Sequence, residues 1–332
     1  MPTPESPLDA DSEASTFLHE LRVSAMATEF VILLPHATSG RQLDQALSAL
    51  QTVQAMEQQL SIYQAGSDVS RINAVAGEPV RVCQDVVDVL LKAAELAEKT
   101  SGAFDVTAGP LIEAWGFTRR RGRKPSAEEI ERARSLVDWR NVQVDASQRT
   151  VRLAKPGMQV NLGAIGKGFA IDHVCDQLTQ LGVEHFLVHG GNSTLAARGN
   201  SDGDASAGSS KGWVVGVQHP SRPEHRLGTI LLQDASMSTS GPGKQFFHFR
   251  GKRFGHVIDP RSGWPAGDLE SLTVLAPTAA ESDALATGWF VEGQEIAMQA
   301  ADAMCRPLYC IRSSDRQGGV EVLFAGGAEW AG

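Results

Sequence analysis

The segment from Asn161 to Asp172 reads Asn-Leu-Gly-Ala-Ile-Gly-Lys-Gly-Phe-Ala-Ile-Asp and concentrates what a phosphate ligand needs. Glycines at 163, 166 and 168 let backbone approach a ligand closely, the helix start that follows offers unpaired N–H groups, and Lys167 sets a positive charge beside them. Together these features suit a diphosphate. The spacing is neither G-x-x-x-x-G-K-(S/T) nor G-x-G-x-x-G, so the standard nucleotide loops are not supported. The plain alternative is a tight turn with a solvated lysine.

Three further groups carry chemistry. Asp283 and Thr287 lie four residues apart in Ala280-Glu-Ser-Asp-Ala-Leu-Ala-Thr287, which sets a carboxylate and a hydroxyl on one helical face. Both are hard oxygen donors suited to Mg2+ or Ca2+, although an Asp in the first helical turn also simply favours the dipole. Next, Ala235-Ser-Met-Ser-Thr-Ser-Gly241 ends a strand in hydroxyls, and His256-Val-Ile-Asp-Pro260 follows. His256 is the side chain best suited to exchange a proton near neutral pH; a lone strand histidine is also commonly structural, and Asp259 before proline also reads as a turn. Last, Thr100 to Pro110 supplies Phe104 and Asp105, with Trp115-Gly-Phe117 just beyond and Tyr63 after a long helix. Rings and a carboxylate on loops suit a planar ring system that needs stacking and an N–H acceptor, or else plain packing and capping. No G-x-S-x-G elbow, H-E-x-x-H helix or Cys/His zinc spacing occurs, which removes serine hydrolases and zincins.

The elements that must position these residues follow from periodicity. Leu43, Ala46, Leu50, Val53, Met56 and Leu60 keep a helical repeat from Gln42 to Ser61. A second helix covers about Asp85 to Thr100, with Gly102 placed for a left-handed end. A third starts at Ser126, where Glu129 completes a capping box. Alternation around an Asp-Ala-Ser-Gln turn predicts a hairpin over Asn141 to Ala154. A strand-like approach then leads into the glycine-rich turn and a helix with Ile171, Val174, Leu178 and Leu181 on one face. Further strands are expected at Phe186 to His189, Trp213 to Gln218, Thr229 to Gln233, Phe246 to Phe249, His256 to Ile258, Leu272 to Leu275, Leu308 to Ile311 and Val320 to Phe324. Without a regular strand-helix-strand repeat, the class is α+β, with mixed or antiparallel sheets and packed helices.

The 332 residues, 42% hydrophobic, are enough for one large core or two smaller ones. A net charge of −9 argues against general nucleic-acid affinity, so any phosphate must be met locally. Cys83, Cys175, Cys305 and Cys310 form no C-x-x-C pair and read as small buried hydrophobes. Residues 1–16 are acidic and Pro/Ser-rich, lack the pattern of a signal peptide, and read as a disordered lead-in. Residues 17–332 then form a single catalytic unit, two-lobed with the site between the lobes, and 200–212 a flexible Gly/Ser/Asp insertion. No apolar stretch is long enough to cross a bilayer, which predicts a soluble chain.

In this order and form, these segments resemble the FAD:protein FMN transferases, the ApbE family of flavin transferases. The resemblance runs from Met26 to the C-terminal strands. It rests on Met26-Ala-Thr, Ser61-Ile-Tyr63 with Ser70-Arg-Ile-Asn73, Gly102-Ala-Phe-Asp-Val-Thr107, Leu162-Gly-Ala-Ile-Gly-Lys-Gly168, Gly190-Gly-Asn192, Thr239-Ser-Gly241, His256-Val-Ile-Asp-Pro260 and Asp283-Ala-Leu-Ala-Thr287. Each is weak alone; all eight in sequence order are specific. The resemblance implies FAD contacts at Met26, Tyr63, Phe104, Asp105, Val106, Asn161, Lys167 and His256. It implies Mg2+ held by Ala164, through its carbonyl, and by Asp283 and Thr287 with Ala286 beside them. It further implies transfer of FMN from FAD to a threonine of an acceptor flavoprotein bearing a Ser/Thr-Gly-Ala-Ser/Thr motif, with Lys167 and His256 as the catalytic pair and AMP released. The acceptors would be subunits of membrane redox complexes, and the enzymes usually work outside the cytoplasmic membrane. The chain's own Thr100-Ser-Gly-Ala103 is similar to the acceptor motif but falls in a ligand wall. Two positions depart from the family pattern: Ala27 stands where glycine is common, and Asn161 where aspartate is common.

Overall fold

The computed structural model describes residues 17–119, 121–203, 212–242, 245–267, 269–314 and 319–331. The lead expected at 1–16, and 204–211 of the expected insertion, lie outside the described residues. In chain order the elements are β1 (Leu18–Ala25), β2 (Thr28–Pro35), α1 (Gly40–Leu60), α2 (Asp68–Ala74), β3 (Val80–Arg81), α3 (Gln84–Lys99), α4 (Gly109–Ala114) and α5 (Ala127–Arg134). There follow β4 (Val142–Asp145), β5 (Thr150–Leu153), α6 (Gly166–Gln180), β6 (Phe186–Gly190), β7 (Thr194–Arg198), β8 (Trp213–His219), β9 (Arg222–Leu232) and β10 (Ser236–Ser240). The chain ends with β11 (Phe246–Phe249), β12 (Lys252–Gly255), β13 (Ser271–Ala276), α7 (Ala279–Glu292), α8 (Gln294–Met304), β14 (Leu308–Ser313) and β15 (Val320–Ala325).

An eight-stranded sheet in the order β1-β2-β6-β7-β10-β13-β14-β15 organises the molecule, and every neighbouring pair in it is antiparallel. Side chains alternate across such a sheet, so each strand feeds two cores. Phe30, Ile32, Val188, Val274 and Cys310 face the helices in the main cluster, while Leu187, Leu195, Met237, Tyr309 and Ile311 pack under the β8–β9 hairpin. A third cluster of Leu111, Trp115, Phe117, Ile130, Phe254 and Ile258 joins α4, α5 and the β11–β12 hairpin.

The capping box expected at Ser126 is present, and a second one, not among the expectations, forms at Ser39. Ser39 and Ser126 each close a reciprocal box, with Gln42 and Glu129, and Gly102 turns at φ +77° after α3. The Asp145 carboxylate accepts from Ser147 N and Gln148 N to close the β4–β5 hairpin.

Several expectations are corrected. The approach at 158–162 is irregular rather than a strand, and Leu181 is an exposed helix cap. His256 to Ile258 is a loop whose only ladder contact is an Ile258–Pro265 bridge. Cys175 and Cys310 are buried, whereas Cys305 is exposed, because it forms the left-handed cap of α8. Among the described residues no helix is long and apolar enough to cross a membrane.

Candidate active site

Helices α6 and α7 cross at Gly168, where a Cβ would lie 2.2 Å from Ala279 O, so only glycine allows this approach. The same contact brings two distant stretches of sequence together. Asp283, in the second turn of α7, accepts from Lys167 Nζ at 3.3 and 3.4 Å, from Gly168 N at 3.2 Å and from Thr194 Oγ1 at 3.1 Å. Its side chain is 8% exposed, so this is a buried carboxylate met by several donors, as burial of a charge requires. One turn on, Thr287 Oγ1 lies 3.1 Å from Ser240 Oγ.

Asp172 fixes α7 from the other side. Its carboxylate accepts from Ala279 N at 2.6 Å and Ala280 N at 2.8 Å, satisfying the open donors of the α7 N-terminus. Burial nonetheless pushes its pKa up to about 6, against those two hydrogen bonds.

The glycine-rich turn is held from below. Asn73 Nδ2 donates to Val160 O at 2.9 Å and Val160 N to Asn73 Oδ1 at 2.7 Å, and Asn161 N donates to Val106 O at 2.7 Å. Asn161 Oδ1 then accepts from Gly163 N at 2.9 Å. Asp105 Oδ1 accepts from Thr107 N at 2.7 Å and from its hydroxyl at 2.6 Å, and Oδ2 from Trp139 N at 3.0 Å; burial raises its pKa and those bonds oppose the rise.

Above these elements opens a cavity of about 970 Å3 between the main core and the third cluster, within the range of small-molecule sites. Asn161, Ala164, Lys167, Asp283 and Thr287 line its floor, and Met26, Tyr63, Phe104, Asp105 and His256 its walls. Val106 and Ala286 do not line it: both side chains are in the main core, and Val106 contributes its carbonyl. Tyr63 is 72% exposed, which excludes the packing alternative for it. Met26 and Ala27 form the β1–β2 turn with φ +51° and +58°, left-handed at both positions.

His256 stands at the wall with Nδ1 buried and, among the described residues, without a partner of full hydrogen-bond geometry, edge-on to Phe117 at 6.4 Å. Burial pushes its pKa below the ordinary imidazole value; the Pro242 and Gln245 backbone opposes this, and the Lys167 charge adds to it. Thr100 is buried, its hydroxyl donating to Leu96 O at 2.9 Å and accepting from Phe104 N at 3.2 Å.

Residues that single-position reasoning missed are Ser193, Thr194, Ser240, Gln245 and Arg119. Ser240 was signalled only as part of Thr239-Ser-Gly241. Thr194 carried no signal, since its bond to Asp283 arises from sheet order.

The chemistry of the floor fits a hard divalent cation. Asp283 brings a carboxylate and Thr287 a hydroxyl to one cavity, which Ala164 also lines. Among the described residues no group of three or more His, Cys, Asp or Glu converges. An ion here would take one carboxylate, and ligand phosphate oxygens would complete its shell.

An antiparallel α+β scaffold whose cavity joins a glycine-rich helix start, a half-buried lysine on a buried aspartate and a wall histidine suits an enzyme site for a phosphate-bearing ligand. The chain belongs to the ApbE family, whose model matches residues 26–310. It is 32% identical over 288 residues to the FAD:protein FMN transferase of Haemophilus influenzae, covering 84% of this chain and 80% of that one. It is 34% identical to the enzyme of the same name from Treponema pallidum, covering 73% and 70%. Among solved structures, the ApbE protein of Thermotoga maritima superposes with a TM-score of 0.81 at 29% identity, covering 92% of this chain and 96% of that one. The apo flavinyl transferase ApbE of Pseudomonas stutzeri gives 0.78 at 27% identity, covering 93% and 95%.

Proposed function

We propose that this chain is an FAD:protein FMN transferase that moves FMN from FAD to a threonine hydroxyl of an acceptor flavoprotein and releases AMP, with Mg2+ as its cation. The observation that carries the reading is the convergence of Lys167, Asp283, Thr287 and His256 on one cavity, together with family membership.

In this reading Asn161 to Gly168 cradle the diphosphate, with the α6 N-terminus and Lys167 facing its charge. Tyr63, Phe104 and Met26 pack on the ring systems, and the main chain at 105–106 shapes the wall. Asp283, Thr287 and the Ala164 carbonyl would hold Mg2+, which when bound neutralises charge on the diphosphate. His256, kept neutral near pH 7 by burial, takes the proton from the threonine hydroxyl. The threonine oxygen bonds to the FMN phosphorus, the bond from that phosphorus to the bridging oxygen breaks, and AMP leaves with that oxygen. Lys167 lies beside the charge that develops there.

Incubation with FAD and Mg2+, with and without an acceptor domain bearing the Ser/Thr-Gly-Ala-Ser/Thr motif, tests the reading by mass spectrometry. One FMN added to the acceptor threonine is the expected result. Free FMN formed equally in both samples would make the protein an FAD pyrophosphatase, and FAD bound without turnover a flavin carrier.

A further inference from the structure

The β11–β12 hairpin rises from the rim of the cavity, between Gln245 and His256, which both line it. Among the described residues it pairs with no other strand and forms a two-stranded sheet of its own. Its root is fixed by rings: Phe247 and Phe254 stack at 5.5 Å, and Trp115 packs on Phe254 at 5.5 Å. Other rings on and beside it are partly open to solvent. Phe246 is 42% exposed, Phe249 38%, and the neighbouring Trp264 42%.

The charge around this arm is the reverse of that of the chain. The sequence has no carboxylate between Glu113 and Glu128, where Arg119, Arg121, Arg123 and Lys124 lie, and none between Asp234 and Asp259, where Arg250, Lys252 and Arg253 lie. The fold joins the two stretches, since Lys124 Nζ stands over the Phe249 ring at 5.3 Å and over Trp264 at 5.6 Å. Arg123 pairs with Glu129 at 2.7 Å. A concentrated basic face stands out on a chain of net charge −9, and its hairpin springs from Gln245 and His256 at the cavity.

From this we infer that the hairpin and the 119–124 segment form the docking surface for the acceptor protein, which meets it with an acidic face flanking the target threonine. The inference rests on the transferase reading above. An acidic protein fits better than an anionic bilayer because the exposed rings are themselves covered by cations. The Arg253 guanidinium lies 4.1 Å from the Phe246 centroid, and Arg250 lies 5.4 Å from that of Phe249. Rings capped in this way would carry charge into hydrocarbon if they inserted, which is costly. A guanidinium stacked on a ring still presents its N–H edge to a carboxylate. Electrostatic docking of this kind raises the rate of productive encounter and is screened by salt.

The test is Lys124→Glu with Lys252→Glu, compared with Lys124→Arg with Lys252→Arg. Neither position lines the cavity. FMN transfer to a soluble acceptor domain carrying a Ser-Gly-Ala-Thr segment is measured at low and high salt, beside FAD affinity and thermal unfolding. The expected result is a fall of about tenfold in kcat/KM for the acceptor in the charge-reversed pair. FAD affinity is unchanged, the arginine pair keeps full rate, and the wild-type salt dependence is lost in the reversed pair. If the reversed pair does not fold, glutamine at both positions reads the same loss. Equal rates at low salt for folded wild-type and reversed proteins would overturn the docking surface alone. So would loss of pelleting with phosphatidylglycerol vesicles at unchanged transfer, which would make the arm a membrane contact. A wild-type chain that binds FAD and modifies no acceptor would instead sink the transferase reading itself, and docking with it.

Discussion

At the floor of the cavity, polar groups are buried and bonded to one another: Asp283 to Lys167, Gly168 and Thr194, and Asp172 to the start of α7. At the rim, Tyr63, Phe246, Phe249 and Trp264 stand in solvent, with cations over Phe246, Phe249 and Trp264. The floor is preorganised, so its donors need no rearrangement when charge develops on a phosphate. The rim instead presents partly exposed rings and cations, the groups a protein surface could meet. A protein-modifying enzyme needs both, because its chemistry is fixed while its second substrate is a whole protein surface.

This contrast can be broken at either end. Asp283→Ala should abolish the ion site and lower transfer about a thousandfold. It should also lower the thermal midpoint, because Lys167 and Thr194 lose a buried partner worth about 1–3 kcal/mol. Chelation of divalent ions should reproduce the rate loss and not the stability loss, and assays with and without added Mg2+ separate the two.

His256→Asn should lower kcat about a hundredfold with FAD affinity retained. In the wild type, the rate should rise with pH as the imidazole loses its proton. Because burial lowers its pKa, that limb should lie below the ordinary imidazole range, and a limb centred above it would remove His256 as the base.

Asp172 sharpens the comparison through stability. Its pKa is about 6 in the folded chain against an ordinary 3.8, so folding favours its protonated form. Its stabilisation is complete below pH 3.8 and is lost as the pH rises through 6, a change on the order of 3 kcal/mol. Urea midpoints across that interval should show this slope, and Asp172→Asn should remove it.

At the rim, Tyr63→Ala should raise KM for FAD a few-fold, a loss of about 1 kcal/mol. The melting temperature should not move, because an exposed ring stabilises nothing; a drop in melting would mean that rim and floor are coupled. The smallest effect is expected at the β1–β2 turn, where Ala27 holds φ +58°. Ala27→Gly should stabilise the chain by about 1 kcal/mol, read as a small rise in thermal midpoint.

What the sequence made legible divides along physical lines. The capped start of α5 and the Asp145 hairpin were readable because their signals are local, one side chain closing one turn. β7 carried no strand signal, and β10 only its run of hydroxyls before Gly241, because the sheet centre is built from small and hydroxyl residues. Ser236, Ser238 and Thr194 are buried there, and Ser238 bonds Ser282 of α7 at 2.7 Å. Such strands lack the β-branched alternation that marks a strand. Asp283 and Lys167 were each visible as chemistry, but their meeting depends on a bare Cα at Gly168, which no periodicity reveals. His256 was expected on a strand and lies in a loop, where its ring can stand at the wall rather than alternate with a pleat.

The segment Ser101-Gly-Ala-Phe104 imitates the acceptor motif beside the proposed donor, yet Phe104 fills the position where a hydroxyl would be modified. The nearest threonine, Thr100, has its oxygen locked to Leu96 inside the helix end. A hydroxyl held in this way is turned into the protein rather than presented to the cavity, so the look-alike segment serves as wall and not as target.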